Sequence, residues 1–222
     1  MNIKVKGQRN RQTRSYDASG RQKQALSTRR SILDAALRLF LKRGYGATTM
    51  PQIARSAGIA LDTVYASVAK KPKLFRLLVE TAISGVDAAV PAEEREYVRA
   101  IRAERDTVAK LRIYCSALRE IQQRLAPVFR VLRAAAPMDR ELARLWKEIS
   151  QRRARNMRLF AEDLAATGQL RPGLTIEDVA DTIWSMNSPE FYLLLVEERG
   201  WTARRFEAWL ADAWTRLLVR EQ

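Results

Sequence analysis

The chain has 222 residues, 47% of them hydrophobic and 29% charged, with a formal net charge of +15, and is long enough to bury a real core without covalent staples. Its one cysteine, Cys115, excludes an intrachain disulfide and fits a small buried residue in a reducing compartment, while the absence of histidine excludes His-based triads, imidazole acid-base work and His-ligated zinc. Charges interrupt every hydrophobic run and the first thirty residues are polar and basic, so neither a membrane span nor a secretory signal is expected, and the chain reads as a cytoplasmic protein, not an enzyme, without cofactor or metal.

Residues 1–26 hold seven Lys/Arg, one Asp and no periodic apolar positions, and are expected to form a basic flexible arm. From Ser27 the pattern turns helical: Ile32, Ala36 and Phe40 recur at spacing four, Leu33 and Leu37 fill the adjacent stripe, and Gly44 ends the run. Thr48 and Thr49 offer caps to a second helix, in which Pro51 is tolerated at the first turn and Ile53, Ala54 and Ala57 face inward. Gly58 breaks that helix after very few turns, and Leu61-Asp62-Thr63-Val64-Tyr65 restarts helical spacing at once. Two short helices joined by a tight Gly-containing turn are a helix-turn-helix.

After Lys70-Lys71-Pro72, residues 73–89 form an amphipathic run, and residues 92–105 are charged and ambiguous. Asp106 caps a helix using Leu111, Tyr114, Cys115, Leu118 and Ile121; Pro127 and Pro137 bracket a shorter one; a long helix then runs to about Thr167. Thr175-Ile176-Glu177-Asp178 resembles a capping box. The last two segments, about 175–196 and 201–220, carry more apolar surface than two helices readily bury alone, which favours a homodimer interface over a thick monomer core. With no period-two alternation anywhere, the expected fold is all-α.

Charge is unevenly placed. Residues 1–73 carry 16 Lys/Arg against 3 Asp/Glu, whereas residues 74–222 carry 24 against 22. An excess of that kind at one end is the footprint of a polyanion partner, because Lys and Arg near phosphates displace condensed counterions. For the arm alone, a solvated tail is the equally weighted alternative.

The residues Thr28-Arg29-Arg30, Ile32 to Phe40, Arg43-Gly44-Tyr45, Ala47-Thr48-Thr49, Ile53-Ala54, Ala57-Gly58-Ile59, Val64-Tyr65 and Leu74-Phe75 match, in order and spacing, the DNA-binding domain of the tetracycline-repressor (TetR) family, which the chain resembles over about residues 27–75. The resemblance implies an N-terminal three-helix helix-turn-helix domain, a helical regulatory and dimerisation domain, and control by a small-molecule effector. The expected domains are thus the arm 1–26, a DNA-binding domain 27–73 and a ligand-sensing and dimerisation domain 74–222. Two departures stand out: Ala60 replaces the Ser or Thr usual before the recognition helix, and Ala66-Ser67-Val68 replaces an aromatic-His-Phe sequence near its end. Ala60 removes the expected cap and leaves the helix start free to shift by a residue.

The N-terminal residues of a recognition helix point at base edges of double-stranded DNA, so Leu61, Asp62 and Thr63 are the expected readers. Leu61 suits a thymine methyl, Asp62 either a cytosine amino group or its own helix dipole, and Thr63 a base or a phosphate. Thr49, Tyr65 and Lys71 are the expected phosphate contacts, the last two also matching positions that the family uses in this way. Tyr65 equally suits core packing by its ring. Arg29 and Arg30, with Arg21 and Lys23 of the arm, reach an adjacent groove or form a solvated face. The effector pocket is expected among Tyr114, Phe129, Met138, Trp146, Met157, Phe160, Trp184 and Met186, residue types that at helical spacing also serve simply as core. A protected near-palindrome in the operator and release by the effector would complete the picture of a repressor. Two rivals remain: an enzyme built on paired carboxylates such as Glu93-Glu94, and a sequence-indifferent binder of nucleic acid or membrane surface.

Overall fold

In a computed structural model, residues 11–86 and 90–221 are described, with side chains from residue 20 onward. Ten α-helices follow one another: α1 (Arg11–Arg43), α2 (Met50–Ala57), α3 (Leu61–Val68), α4 (Lys71–Ser84), α5 (Glu96–Ala103), α6 (Thr107–Ala135), α7 (Arg140–Ala165), α8 (Ile176–Met186), α9 (Pro189–Tyr192) and α10 (Ala203–Leu218). A single 3-10 turn, Ala92–Glu94, precedes α5, and a π-helical stretch, Leu193–Glu198, continues α9. No strand forms among the described residues; an isolated antiparallel bridge, Leu170 with Val219, ties the loop after α7 to the end of α10. The fold is all-α.

Two cores organise these helices. The first gathers Ile32, Leu33, Ala36 and Phe40 of α1, Ile53 of α2, Val64 of α3, and Leu74, Phe75 and Leu78 of α4, together with Val128, Leu132 and Leu142 of α6 and α7. The second gathers Leu111, Tyr114 and Leu118 of α6, Phe160 and Leu164 of α7, Ile183 of α8, and Phe206, Leu210, Trp214 and Leu218 of α10. Helices α6 and α7 cross from one core to the other, and α4 packs on both of them. The boundary expected after residue 73 therefore lies inside α4, whose Leu74 and Phe75 are fully buried in the first core.

Two expectations change. Helix α1 starts at Arg11, not near Ser27, so the stretch expected to be a flexible arm is helical from Arg11 on, while residues 1–10 lie outside those described. Lengthening an existing helix adds one hydrogen bond per residue without a new nucleation step, and Arg, Gln, Lys and Ala favour it. Pro127 does not divide two helices: α6 runs through it to Ala135. Proline costs a helix interior about 3 kcal/mol, and burial of Ala126, Val128, Phe129, Val131 and Leu132 around it offsets that. The last two segments, read as favouring a homodimer interface over a thick monomer core, bury Tyr192, Phe206, Leu210, Trp214 and Leu218 internally and leave Leu194 and Leu217 exposed.

Candidate nucleic-acid interface and interior cavity

The helix-turn-helix is written locally. Thr49 caps α2 with both halves of a capping box: its hydroxyl accepts from the Gln52 amide and its own amide donates to Gln52 Oε1 at 2.9 Å. Gly58, at φ 68°, ends α2, donating to the carbonyls of Ala54 and Arg55, and the Ile59 amide reaches Ala54 at 3.0 Å. Helix α3 then begins at Leu61 behind Ala60, which offers no side-chain cap, and its start does not shift. At its far end Ala69 takes φ 58°, the one positive φ outside glycine among the described residues.

Val64 and Val68 bury one face of α3 and thereby turn Asp62, Thr63, Tyr65 and Ala66 outward. Tyr65 is 44% exposed, so its ring is not core. Leu61 is half-buried against the first core, which leaves Asp62 and Thr63 as the freer side chains at the start of α3. Thr49 and Arg30 are exposed, and Arg29 is half-buried with Nε unpaired.

Lys71 is placed differently from expectation. Its ammonium turns inward and donates to the carbonyls of Tyr45 (3.0 Å) and Thr48 (2.9 Å), and it lies 4.2 Å from the Tyr45 ring centroid. The carbonyls at the end of the loop before α2 have no helical partner, so a half-buried cation closes that loop instead of meeting a phosphate. Burial lowers the Lys71 pKa, and Asp139 at the start of α7 opposes the shift. Tyr45 in turn packs edge-on to Phe75 at 5.6 Å, and burial, then Asp139 and Glu141, raise its pKa. Lys70 and Lys73, which flank Lys71 and stand outside the residues expected on DNA, are both exposed.

Deeper in the molecule, α5, α6, α7 and the α8–α9 corner line a partly open cavity of about 200 Å³. Ile83, Val98, Ile101, Leu118, Ile121, Leu125, Ile149, Met157 and Phe160 make it apolar, with Tyr97 and Tyr114 in its wall. Buried Lys110 closes one end, donating to the Ile101 carbonyl (2.7 Å) and to Asp163 (2.6 Å). Gln122 Nε2 donates to the Asn187 carbonyl at 2.6 Å, and Asn187 Nδ2 reaches the Tyr114 hydroxyl at 2.9 Å and Met157 Sδ at 2.8 Å. Their oxygens, Gln122 Oε1 and Asn187 Oδ1, are buried and unpaired. Burial, and then the Tyr97 hydroxyl, raise the Tyr114 pKa.

Of the eight residues expected in a pocket, Tyr114, Met157 and Phe160 line this cavity and Trp184 sits behind Arg153 in its wall. Phe129 and Trp146 instead pack on each other in the first core, centroids 4.8 Å apart and planes tilted by 40°, and Met186 packs on the second. Met138 lies in the turn between α6 and α7 and is 91% exposed. Helical spacing identifies an inward face but not which of two cores that face meets. The polar members, Gln122, Arg152, Arg153 and Asn187, carried no signal in a sequence where such residues normally face water. Two ion pairs bind the cavity's outer wall to α4: Arg152 to Glu80 at 2.9 Å and Arg76 to Glu148 at 2.7 Å.

A helix-turn-helix whose second helix is held out by two buried valines, a basic flank and a helical body with an apolar cavity make up the architecture to be compared with known proteins. Residues 32–78 match the model of the bacterial regulatory proteins of the tetR family. The HTH-type transcriptional regulator AcrR of Shigella flexneri is 36% identical over 63 residues, a match that covers 28% of this chain and 29% of that protein. Among solved structures, NalD, the secondary repressor of the MexAB-OprM multidrug efflux pump in Pseudomonas aeruginosa, superposes with a TM-score of 0.67 at 22% identity over 89% of this chain and all of that one. SmeT in a triclosan complex superposes with a TM-score of 0.65 at 18% identity, covering 88% of this chain and 93% of that one. At those identities the likeness to NalD and SmeT is one of fold. The tetR-family match thus covers residues 32–78, and over the rest of the chain the likeness is one of fold.

Proposed function

We propose that the protein is a homodimeric repressor that reads a near-palindromic operator with α3 and leaves it when a small molecule enters the interior cavity. The observation that carries this is the outward face of α3, Asp62, Thr63 and Tyr65, set on a basic first third of the chain. Asp62 and Thr63 read base edges, while Thr49, Tyr65, Lys70, Lys73 and Arg30 hold phosphates and fix register. The Thr49 hydroxyl accepts from the Gln52 amide, so its proton is left to donate outward.

The second subunit covers the outer face of α9, α10 and the π-helical stretch. Leu194 and Leu217 are each 47% exposed there, and Phe191, Trp201 and Trp209 form a half-buried ladder with centroids 5.7 and 5.8 Å apart. An effector controls DNA only through unequal affinity for two arrangements of the heads. The Arg152–Glu80 pair supplies a route, because it joins the cavity wall to α4, which also belongs to the core of the head.

Footprinting on DNA flanking the protein's own gene tests the reading. A protected near-palindrome, bound by a species of twice the 25.4 kDa chain mass, is expected. Equal affinity for random DNA at physiological salt would leave a sequence-indifferent binder instead, and a monomer on the operator would sink the two-fold assembly.

A further inference from the structure

We propose that the interior cavity selects an amphipathic organic anion, an apolar body bearing one carboxylate, with the carboxylate on Arg153. This rests on the effector reading above and assigns the chemistry of its ligand. The walls are aliphatic and aromatic, and the guanidinium of Arg153 stands in them without a direct ion pair among the described residues. It is held in place on one side: Nη2 donates to the Trp184 carbonyl at 3.2 Å, and the group lies 4.5 Å from the Trp184 ring centroid. Its Nε is buried with no acceptor, and no carboxylate is within ion-pair distance of it among the described residues. Burial lowers its pKa, and Glu190, whose Oε2 is itself buried and unpaired, opposes that shift without forming an ion pair.

The other charges at the cavity do not answer it. Asp163 is engaged by buried Lys110, and Arg152 by Glu80. Arg95 is tied to the Val90 carbonyl at 3.0 Å. Taken together the lining holds four arginines against two carboxylates, which favours an anion over a cation even though aromatic rings are present. A cation desolvated without a partner is costly, and a planar guanidinium matches a carboxylate in both charge and shape. The Gln122 amide adds selectivity: its nitrogen is committed to a carbonyl, so its unpaired oxygen can only accept. It penalises a second acidic group and tolerates a hydroxyl.

Calorimetric titration of the full chain with octanoate, octanamide and octylammonium tests the assignment without DNA. Octanoate is expected to bind at least about tenfold more tightly than octanamide, the scale of one charge-assisted hydrogen bond, and octylammonium more weakly still. Arg153→Met is expected to bring octanoate and octanamide within about twofold, and Arg153→Lys to restore the preference. Equal binding of acid and amide, preference for the ammonium, no binding of octanoate, or a preference that survives in a folded Arg153→Met variant would each overturn it. Should Arg153→Met not fold, the ligand series on the unmodified chain decides alone. Operator release is scored separately. Release by octanamide but not octanoate overturns the anion and keeps the effector-controlled repressor. Charge-selective octanoate binding that leaves the operator occupied supports the anion site and removes the effector reading.

Discussion

The head, α1 to α4, and the body, α5 to α10, solve opposite problems with the same helices. In the head the elements that matter are eight residues long, each is stopped by a local signal, and the working groups face out. In the body, α6 and α7 run for 29 and 26 residues, and the working groups face a cavity between helices. Function in the head is therefore read from what burial leaves exposed, and function in the body from what packing leaves unpaired. Gln122 Oε1, Asn187 Oδ1 and Arg153 Nε have no counterpart among the outward residues of α3.

The largest expected effect breaks the head at its core. Phe40, Tyr45 and Phe75 form a ring cluster with centroids 5.3 to 5.6 Å apart, and Phe75 is fully buried. Phe75→Ala is expected to cost about 3–5 kcal/mol of stability by urea unfolding, from lost burial plus the cavity left behind. Because α4 is shared by both cores' helices, the body should melt in the same transition. A two-step melt with the body intact would mean that the head unfolds by itself.

Lys71→Met comes next. It deletes two hydrogen bonds from a half-buried cation, worth about 1.5–3 kcal/mol, and loosens the loop that launches α2. Affinity is expected to fall on operator and random DNA alike while the salt slope stays put. Lys70→Ala or Lys73→Ala should instead leave stability alone and flatten that slope by about 0.9 for each phosphate no longer neutralised. A flattened slope for Lys71→Met would return its ammonium to the phosphates.

The difference between Lys71 and its neighbours shows what the sequence could and could not carry. Thr49, Pro51 and Gly58 specify the helix-turn-helix within ten residues of one another, so the motif was legible without tertiary information. The same locality hid the direction of Lys71, whose partners Tyr45 and Thr48 lie more than twenty residues earlier. Pro127 reads as a break because local propensity is visible and the flanking burial that overrides it is not. The cavity is assembled from residues of α4 to α9, so no window of sequence contains it, and periodicity reached only apolar members such as Tyr114, Leu118, Ile121, Met157 and Phe160.

A smaller effect sharpens the outward face. Thr63→Ala is expected to cost about 1–3 kcal/mol at one base position of the operator and little on random DNA, measured by competition binding. Equal loss on both would make Thr63 a phosphate contact and leave Asp62 as the reader.

The smallest expected effect lies at the end of the reading helix. Ala69 sits at φ 58° and ψ −104°, where a Cβ is crowded, and its amide still donates to the Tyr65 carbonyl at 2.9 Å. Such backbone costs of order 1–3 kcal/mol, and glycine relieves it at an entropic cost of roughly 0.5–1 kcal/mol in the unfolded chain. Ala69→Gly is therefore expected to stabilise the protein by about 1 kcal/mol and raise Tm by roughly 2–4 °C, whereas Ala69→Val should lower it. If Ala69→Gly also weakens operator binding, the strain is what aims α3, since a freer hinge lets Tyr65 wander from the phosphate. If it stabilises without touching affinity, Val64 and Val68 alone orient the helix, and the head is held by packing in the same way as the body.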